Sequence, residues 1–212
     1  LKSISDLNNS HPARAYLLGR GIPEDKLKEL YYCPKFKEWT NTKKKVFEST
    51  KNDDDRIIIP LFDFDGNLFG YQGRSLSKFN KMRYITVMLD DSAPKVYGLD
   101  TINREETVYV TEGPFDSMFL HNSVAMCGAD VDLSVYDLDL VYVYDNEPRN
   151  KQIVERIEKT IDAGHRVVIW PKDIDEKDLN DLYNTGVNVR SMVESSIYQG
   201  LEAKLQLSNW KV

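Results

Sequence analysis

Thr107-Val-Tyr-Val-Thr-Glu-Gly-Pro-Phe-Asp116 decides the fold. A β-branched and aromatic run ends abruptly in a carboxylate. Gly113 then permits a sharp turn, and Pro114 suits the first turn of a helix, where its missing N–H has no partner to lose. The segment therefore predicts a strand over 107–111, a tight turn and a helix over 115–121, with Glu112 at the strand's C-terminal end. The same grammar recurs downstream: strands over 124–127, 140–144 and 166–170, helices over 151–163 and from 178, and a final amphipathic helix over 189–207. Strand–helix alternation with short links predicts βαβ units, hence a parallel sheet covered by helices. Open sheets of this kind bind ligands at the carboxyl ends of their strands.

Three of those ends carry acids. Glu112 closes the first, with Asp116 in the following helical turn. Val141-Tyr-Val-Tyr-Asp145-Asn-Glu147 closes another, and Lys177-Asp-Leu-Asn-Asp181 follows the next. A single acid after a strand is commonly a cap or a solvated loop residue. Three successive ones repel each other unless a cation neutralises them. Oxygen ligands with only three histidines in the chain favour Mg²⁺ or Mn²⁺ over zinc.

The first half reads differently. Residues 13–19 predict a short helix before a glycine stop, and a second begins at Pro23. Residues 35–55, polar and rich in lysine, read as a long exposed loop or hairpin. Residues 56–62 and 68–75 form two β-rich runs around Asp63-Phe-Asp-Gly66, the pattern of a hairpin. Short strands are expected over 83–87 and 95–97. The fold class is thus an α+β N-terminal subdomain with a small antiparallel sheet (1–104), followed by an α/β domain with a parallel sheet flanked by helices (105–212).

Charge follows the same division. Residues 1–104 carry 18 Lys+Arg against 14 Asp+Glu, a net of +4, and residues 105–212 carry 10 against 20, a net of −10. A basic module beside an acidic one suits a polyanion next to a metal. Hydrophobic residues at 41% and charged residues at 29% are ordinary for a globular protein. No apolar run approaches the roughly 20 residues of a membrane span, and no signal peptide opens the chain. Cys33 and Cys127 are far apart and outside any CxxC, which argues against a disulfide framework or a structural zinc site and for a reducing cytoplasm. Because it opens on Leu1, the chain is expected to be a piece of a longer protein.

Glu112-Gly-Pro-Phe-Asp116 followed by Asp145-Asn-Glu147 resembles the TOPRIM module shared by primases, topoisomerases and some nucleases. Upstream, Arg56-Ile-Ile-Ile-Pro-Leu61, Asp65-Gly66, Gly70-Tyr-Gln-Gly-Arg74, Arg83-Tyr-Ile-Thr86 and Val96-Tyr-Gly98 stand in the order of the catalytic core of bacterial (DnaG-like) DNA primases. Lys177-Asp178 resembles that family's Lys-Asp pair. The ordered set looks closest to the primases of tailed bacteriophages and covers nearly the whole chain from about His11.

The resemblance implies a DNA-dependent RNA polymerase making short RNA primers on single-stranded DNA from ribonucleoside triphosphates. It further implies two-metal nucleotidyl transfer with Mg²⁺ or Mn²⁺, a replicative helicase as partner, and a zinc-binding domain that these residues do not contain. Glu112 is then the general acid/base or metal-organising group. Asp145 and Glu147 hold the metal, with Asp116 and Asp178 as further ligands. Glu147 departs from the family's second aspartate, and Asn180 stands where many bacterial members carry another acid.

Arg56, Arg74, Lys81 and Arg83 are the candidates for template or triphosphate phosphates, since arginine offers a forked donor set. Lys43-Lys44-Lys45 reads as an exposed loop. Tyr71, Phe79 and Tyr84 either stack on bases or belong to the core. Two alternatives remain: a TOPRIM nuclease using water at the same acids, and a non-catalytic nucleic-acid-binding remnant.

Overall fold

The computed structural model describes residues 1–128 and 131–212. They divide into two compact units, Leu1–Asp100 with Cys127–Val131 and Thr101–Met126 with Asp132–Val212. The division runs between Asp100 and Thr101 and returns a short later segment to the first unit.

The first unit contains β1 (Lys2–Ser3), α1 (Pro12–Gly19), β2 (Tyr31–Cys33), α2 (Phe36–Asn41), β3 (Arg56–Phe62), β4 (Leu68–Ser75), β5 (Tyr84–Met88) and β6 (Val96–Tyr97). Strands β1 to β5 form an antiparallel sheet in sequence order. The β3–β4 hairpin has the expected bounds. The Asp63 carboxylate accepts the backbone N–H groups of Asp65 and Asn67 at 3.0 and 2.8 Å, and Gly66 supplies the left-handed residue at φ +79°.

Residues 35–55 are not one exposed loop. Phe36 and Thr40 are buried within α2, and Phe36 packs with Cys33, Ile58, Tyr71 and Val87. The helix is hidden because Lys37, Glu38 and other residues that are not buried leave only two buried positions in six. Gly73 makes the packing possible, since a Cβ there would lie 2.4 Å from the Phe36 ring. Strands β1 and β2, of two and three residues, are too short to show alternation in sequence.

The second unit contains β7 (Val108–Thr111), α3 (Pro114–Ser117), β8 (Ser123–Met126), β9 (Leu140–Val143), α4 (Lys151–Asp162), β10 (Arg166–Val168), α5 (Leu179–Asn184), α6 (Val189–Ser195), β11 (Ile197–Tyr198) and α7 (Gly200–Trp210). Strands β8, β7, β9 and β10 are parallel in that spatial order, with β11 antiparallel on β10. The sheet is therefore mixed at one edge. The single helix expected over 189–207 is two, because Ile197 and Tyr198 pair with β10 and Gly200 turns the chain at φ +58°. Val193 and Leu207 remain buried, as a helix face packed on a core requires.

Central to function is the order around β7. The chain passes from β7 to β8 on one side, then places β9 on the other. This reversal is the topological switch point of an open α/β sheet, where a crevice opens beyond the strand ends. Glu112 and Asp145 follow the two strands that flank it.

Candidate metal centre

Glu112 and Asp145 meet directly. One Glu112 carboxylate oxygen accepts the backbone N–H of Asp145 at 3.1 Å, and the other accepts Arg156 Nη1 at 2.6 Å. Arg156 reaches in from α4, and the Glu112 side chain is only 15% exposed, so this ion pair is far less screened than a surface one. Thr111 closes β7 with its hydroxyl donating to the Gly113 carbonyl at 3.1 Å, which fixes the turn that aims Glu112.

Asp145 bears the strain of the arrangement. Burial, followed by the charges of Glu112, Asp116 and Asp178, pushes its carboxyl up to about 8, against a partial opposing pull from Lys177. Four acids from three loops therefore share one electrostatic environment.

Glu147 is held to one side. Its carboxylate accepts from Asn150 at 3.0 Å and pairs with Lys177 at 3.1 Å. Burial alone would raise its pKa, but these two partners outweigh that and lower it. Hydrogen bonding and pairing with Glu147 in turn raise Lys177. Asp178 caps α5, accepting the Asp181 N–H at 2.8 Å, and Asn180 is buried behind it. Among the described residues, no three His, Cys, Asp or Glu side chains form a ready-made metal-holding group. The acids converge, while Arg156 and Lys177 neutralise two of them.

The oxygen-only donor chemistry fits a hard divalent cation. The half-buried, mutually repelling carboxyls supply the reason one would bind: a cation lets Asp145 ionise without an uncompensated charge.

Sequence reasoning passed over Asn146, Arg156 and Trp210. Asn146 binds the 174–177 loop and Trp210, across 28 to 64 residues of chain. Nothing local to those positions signals such contacts.

The four basic candidates in the first unit divide. Arg56, expected at a phosphate, is an interior residue at 1% exposure. It forms a fork on Asp54 at 3.0 Å through Nε and Nη2, and its Nη1 donates to the carbonyls of Gly73, Met82 and Arg83 at 2.9, 3.0 and 3.3 Å. Arg74 is also largely buried, donating to the Tyr16 hydroxyl at 3.0 Å and lying over the Tyr84 ring. Lys81 and Arg83 are exposed on the β4–β5 loop. Tyr71 is a core residue hydrogen-bonded to Thr40 at 3.0 Å, whereas Phe79 is 96% exposed on that same loop. Arg56 thus anchors the backbone that presents Phe79, Lys81 and Arg83.

No protein-family model matches the chain. It is 34% identical to the DNA primase of Enterobacteria phage T4 across 98% of its own length and 62% of that protein's. It is 27% identical to the DNA primase of Mycoplasma genitalium across 68% of its length and 26% of that protein's. The chain therefore spans less than two thirds of either relative. Among solved structures it is similar to a DnaG primase catalytic domain bound to single-stranded DNA, with a TM-score of 0.68 at 16% identity over 98% of this chain and 77% of that one. It is similar also to the RNA polymerase domain of Mycobacterium tuberculosis primase DnaG in complex with a double-stranded DNA oligomer carrying a 6-nucleotide overhang. There the TM-score is 0.69 at 19% identity over 95% and 77% of the two chains. The E. coli primase catalytic core gives 0.66 at 16% identity over 93% and 76%. At such identities these likenesses speak for the fold, and the T4 relative speaks for descent. By sequence the chain is a homologue of the T4 DNA primase, and its fold is that of the DnaG catalytic core.

Proposed function

We propose that the chain is the polymerising core of a DNA primase, joining ribonucleotides into short primers on a single-stranded DNA template. The observation that carries this reading is that Glu112 accepts the Asp145 N–H beside the switch point of the parallel sheet, with Asp116 and Asp178 near enough to act on the Asp145 carboxyl. The relationship to the T4 primase along nearly the whole chain supports it. Asp145, Glu112 and Asp178 would hold Mg²⁺ or Mn²⁺, with Asp116 and Glu147 adjoining. The bound cations would offset charge on the triphosphate and on the attacking 3′-hydroxyl oxygen. Glu112, held between the Asp145 amide and Arg156, keeps its carboxylate aimed into the crevice. Lys177, paired with Glu147, would lend its positive charge to triphosphate oxygens.

On the template side we assign the β4–β5 loop. Phe79 presents its ring for stacking on a base, and Lys81 and Arg83 meet the backbone phosphates. Base–aromatic stacking contributes about 1–3 kcal/mol per base. Phe79→Ala is therefore expected to weaken single-stranded DNA binding about tenfold, measured by fluorescence anisotropy, with an unchanged melting temperature because the ring is exposed. Lys81→Ala is expected to weaken binding evenly across sequences and to reduce the salt slope by about 0.7. A replicative helicase and a zinc-binding template reader belong to the proposal as partners of this core. No helix among the described residues is long and apolar enough to cross a membrane.

The test is incubation with single-stranded DNA, labelled ribonucleoside triphosphates and Mg²⁺ or Mn²⁺, with a zinc-domain fragment added in a parallel arm. Oligoribonucleotides are expected. Glu112-dependent degradation of the DNA would make this a nuclease instead, and neither product would leave a binding remnant.

A further inference from the structure

Asn146 stands between Asp145 and Glu147, and its backbone N–H and side chain are spent on other segments of the chain. Its backbone N–H donates to the Lys177 carbonyl at 2.6 Å. Its side-chain amide donates to the carbonyls of Ile174 at 2.8 Å and Glu176 at 3.0 Å. Its side-chain oxygen accepts the indole N–H of Trp210 at 2.9 Å. Only one orientation of the amide satisfies this set, because the flipped form would set oxygen against two carbonyls and NH₂ against an N–H donor.

Three segments are thereby joined at one residue: the end of β9 with Asp145 and Glu147, the 174–177 loop leading to Asp178, and the C-terminal turn of α7. Trp210 is 5% exposed. The same end of α7 is tied again, Val212 donating its backbone N–H to the Pro148 carbonyl at 3.2 Å and Lys211 pairing with Glu158 at 2.9 Å.

We infer that Asn146 and Trp210 form a latch that sets the spacing of the metal-holding loops, making both positioning residues for cation binding. The inference rests on the proposed function, since it presumes that these loops hold a cation. The physical reason is the Trp210 N–H. It pins the Asn146 oxygen, which leaves the amide NH₂ facing the 174–177 carbonyls and so keeps Asp178 near Asp145. Without that donor the amide can rotate, and the two loops lose their shared anchor. Outer partners of metal ligands act in this way, and removing one weakens metal binding about 10–100-fold.

Trp210→Phe keeps the aromatic volume and deletes the donor. The experiment titrates Mn²⁺ into the metal-free wild-type chain, Trp210→Phe, Asn146→Ser and Lys211→Ala, reading free Mn²⁺ by electron paramagnetic resonance. Melting curves and backbone hydrogen exchange at residues 145–147 and 174–178 are recorded alongside.

Trp210→Phe is expected to raise the Mn²⁺ dissociation constant about tenfold and to speed exchange of the Asn146 amide. Primer synthesis at saturating Mn²⁺ should recover to within about twofold of wild type. Asn146→Ser should weaken Mn²⁺ at least as much, and it carries the test if Trp210→Phe does not fold. Lys211→Ala, which loosens the same helix end at the surface, should bind Mn²⁺ as wild type does. Wild-type Mn²⁺ affinity in Trp210→Phe, or equal weakening in Lys211→Ala, overturns the latch and leaves the proposed function standing. Failure of the wild-type chain to bind Mn²⁺ overturns both.

Discussion

Asp145→Asn is expected to raise the stability of the metal-free protein while abolishing polymerisation. Asp145 is largely buried, and Glu112, Asp116 and Asp178 all act against its charge, so its folded pKa lies near 8 against an ordinary 3.8. The folded chain then binds a proton that the unfolded chain has already released. The group's contribution is fully present below about pH 4 and is lost as pH rises through 8, so stability falls with pH across that window. At pH 8 the full shift would cost about 5–6 kcal/mol, which partial exposure of the carboxyl reduces to on the order of 2 kcal/mol, or about 4–8 °C in melting temperature for a chain of this size. Asparagine removes the charge and with it the pH dependence. Thermal melts at pH 5 and pH 8, with and without Mg²⁺, check this. The variant should melt higher than wild type at pH 8, and Mg²⁺ should stabilise wild type alone. A variant that melts lower at pH 8 would mean that Asp145 is a structural cap rather than a strained ligand.

A second large effect is expected at Arg56. Its guanidinium is buried, forked on Asp54, donating to three carbonyls and stacked 5.1 Å from the Phe36 ring centroid. Asp54 in turn accepts from the Ser75 hydroxyl and the Asn80 amide, both at 2.8 Å. Arg56→Ala takes the cation from the Asp54 carboxylate, leaving it only the Ser75 and Asn80 donors, and strips a hydrogen bond from each of the Gly73, Met82 and Arg83 carbonyls. Breaking a buried pair from one side costs about 3–5 kcal/mol, or about 6–20 °C. Lysine should not rescue it, because a point charge on a flexible stem cannot reproduce the fork. Urea unfolding of the three proteins measures the difference. If Arg56→Ala melted like wild type and lost only DNA affinity, the arginine would be a phosphate contact after all.

These two residues mark where the sequence was legible. The acid at the end of a β-branched run, the glycine after it and the proline at the next helix start are local signals, so Glu112 and Asp145 could be placed at strand ends. The β3–β4 hairpin was equally clear, since Asp63 and Gly66 dictate its turn. The burial of Arg56 is not legible in the sequence, because a charged residue opening a strand looks solvated. What buries it is a set of carbonyls 17 to 27 residues away. Helix α2 was lost among lysines, and the break at Gly200 was masked by apolar spacing that continues on both sides of it. Arg156, Asn146 and Trp210 act across even longer separations, which no periodicity encodes.

The most direct measurement is single-nucleotide extension of an RNA primer already annealed to a DNA template, in Mg²⁺, by wild type and Glu112→Gln. A preformed primer removes any need for start-site recognition. Wild type should add the templated ribonucleotide, and Glu112→Gln should be slower by about 10³-fold at unchanged DNA affinity and melting temperature. Extension by Glu112→Gln at the wild-type rate would contradict the assignment of the β7–β9 switch point as the catalytic centre.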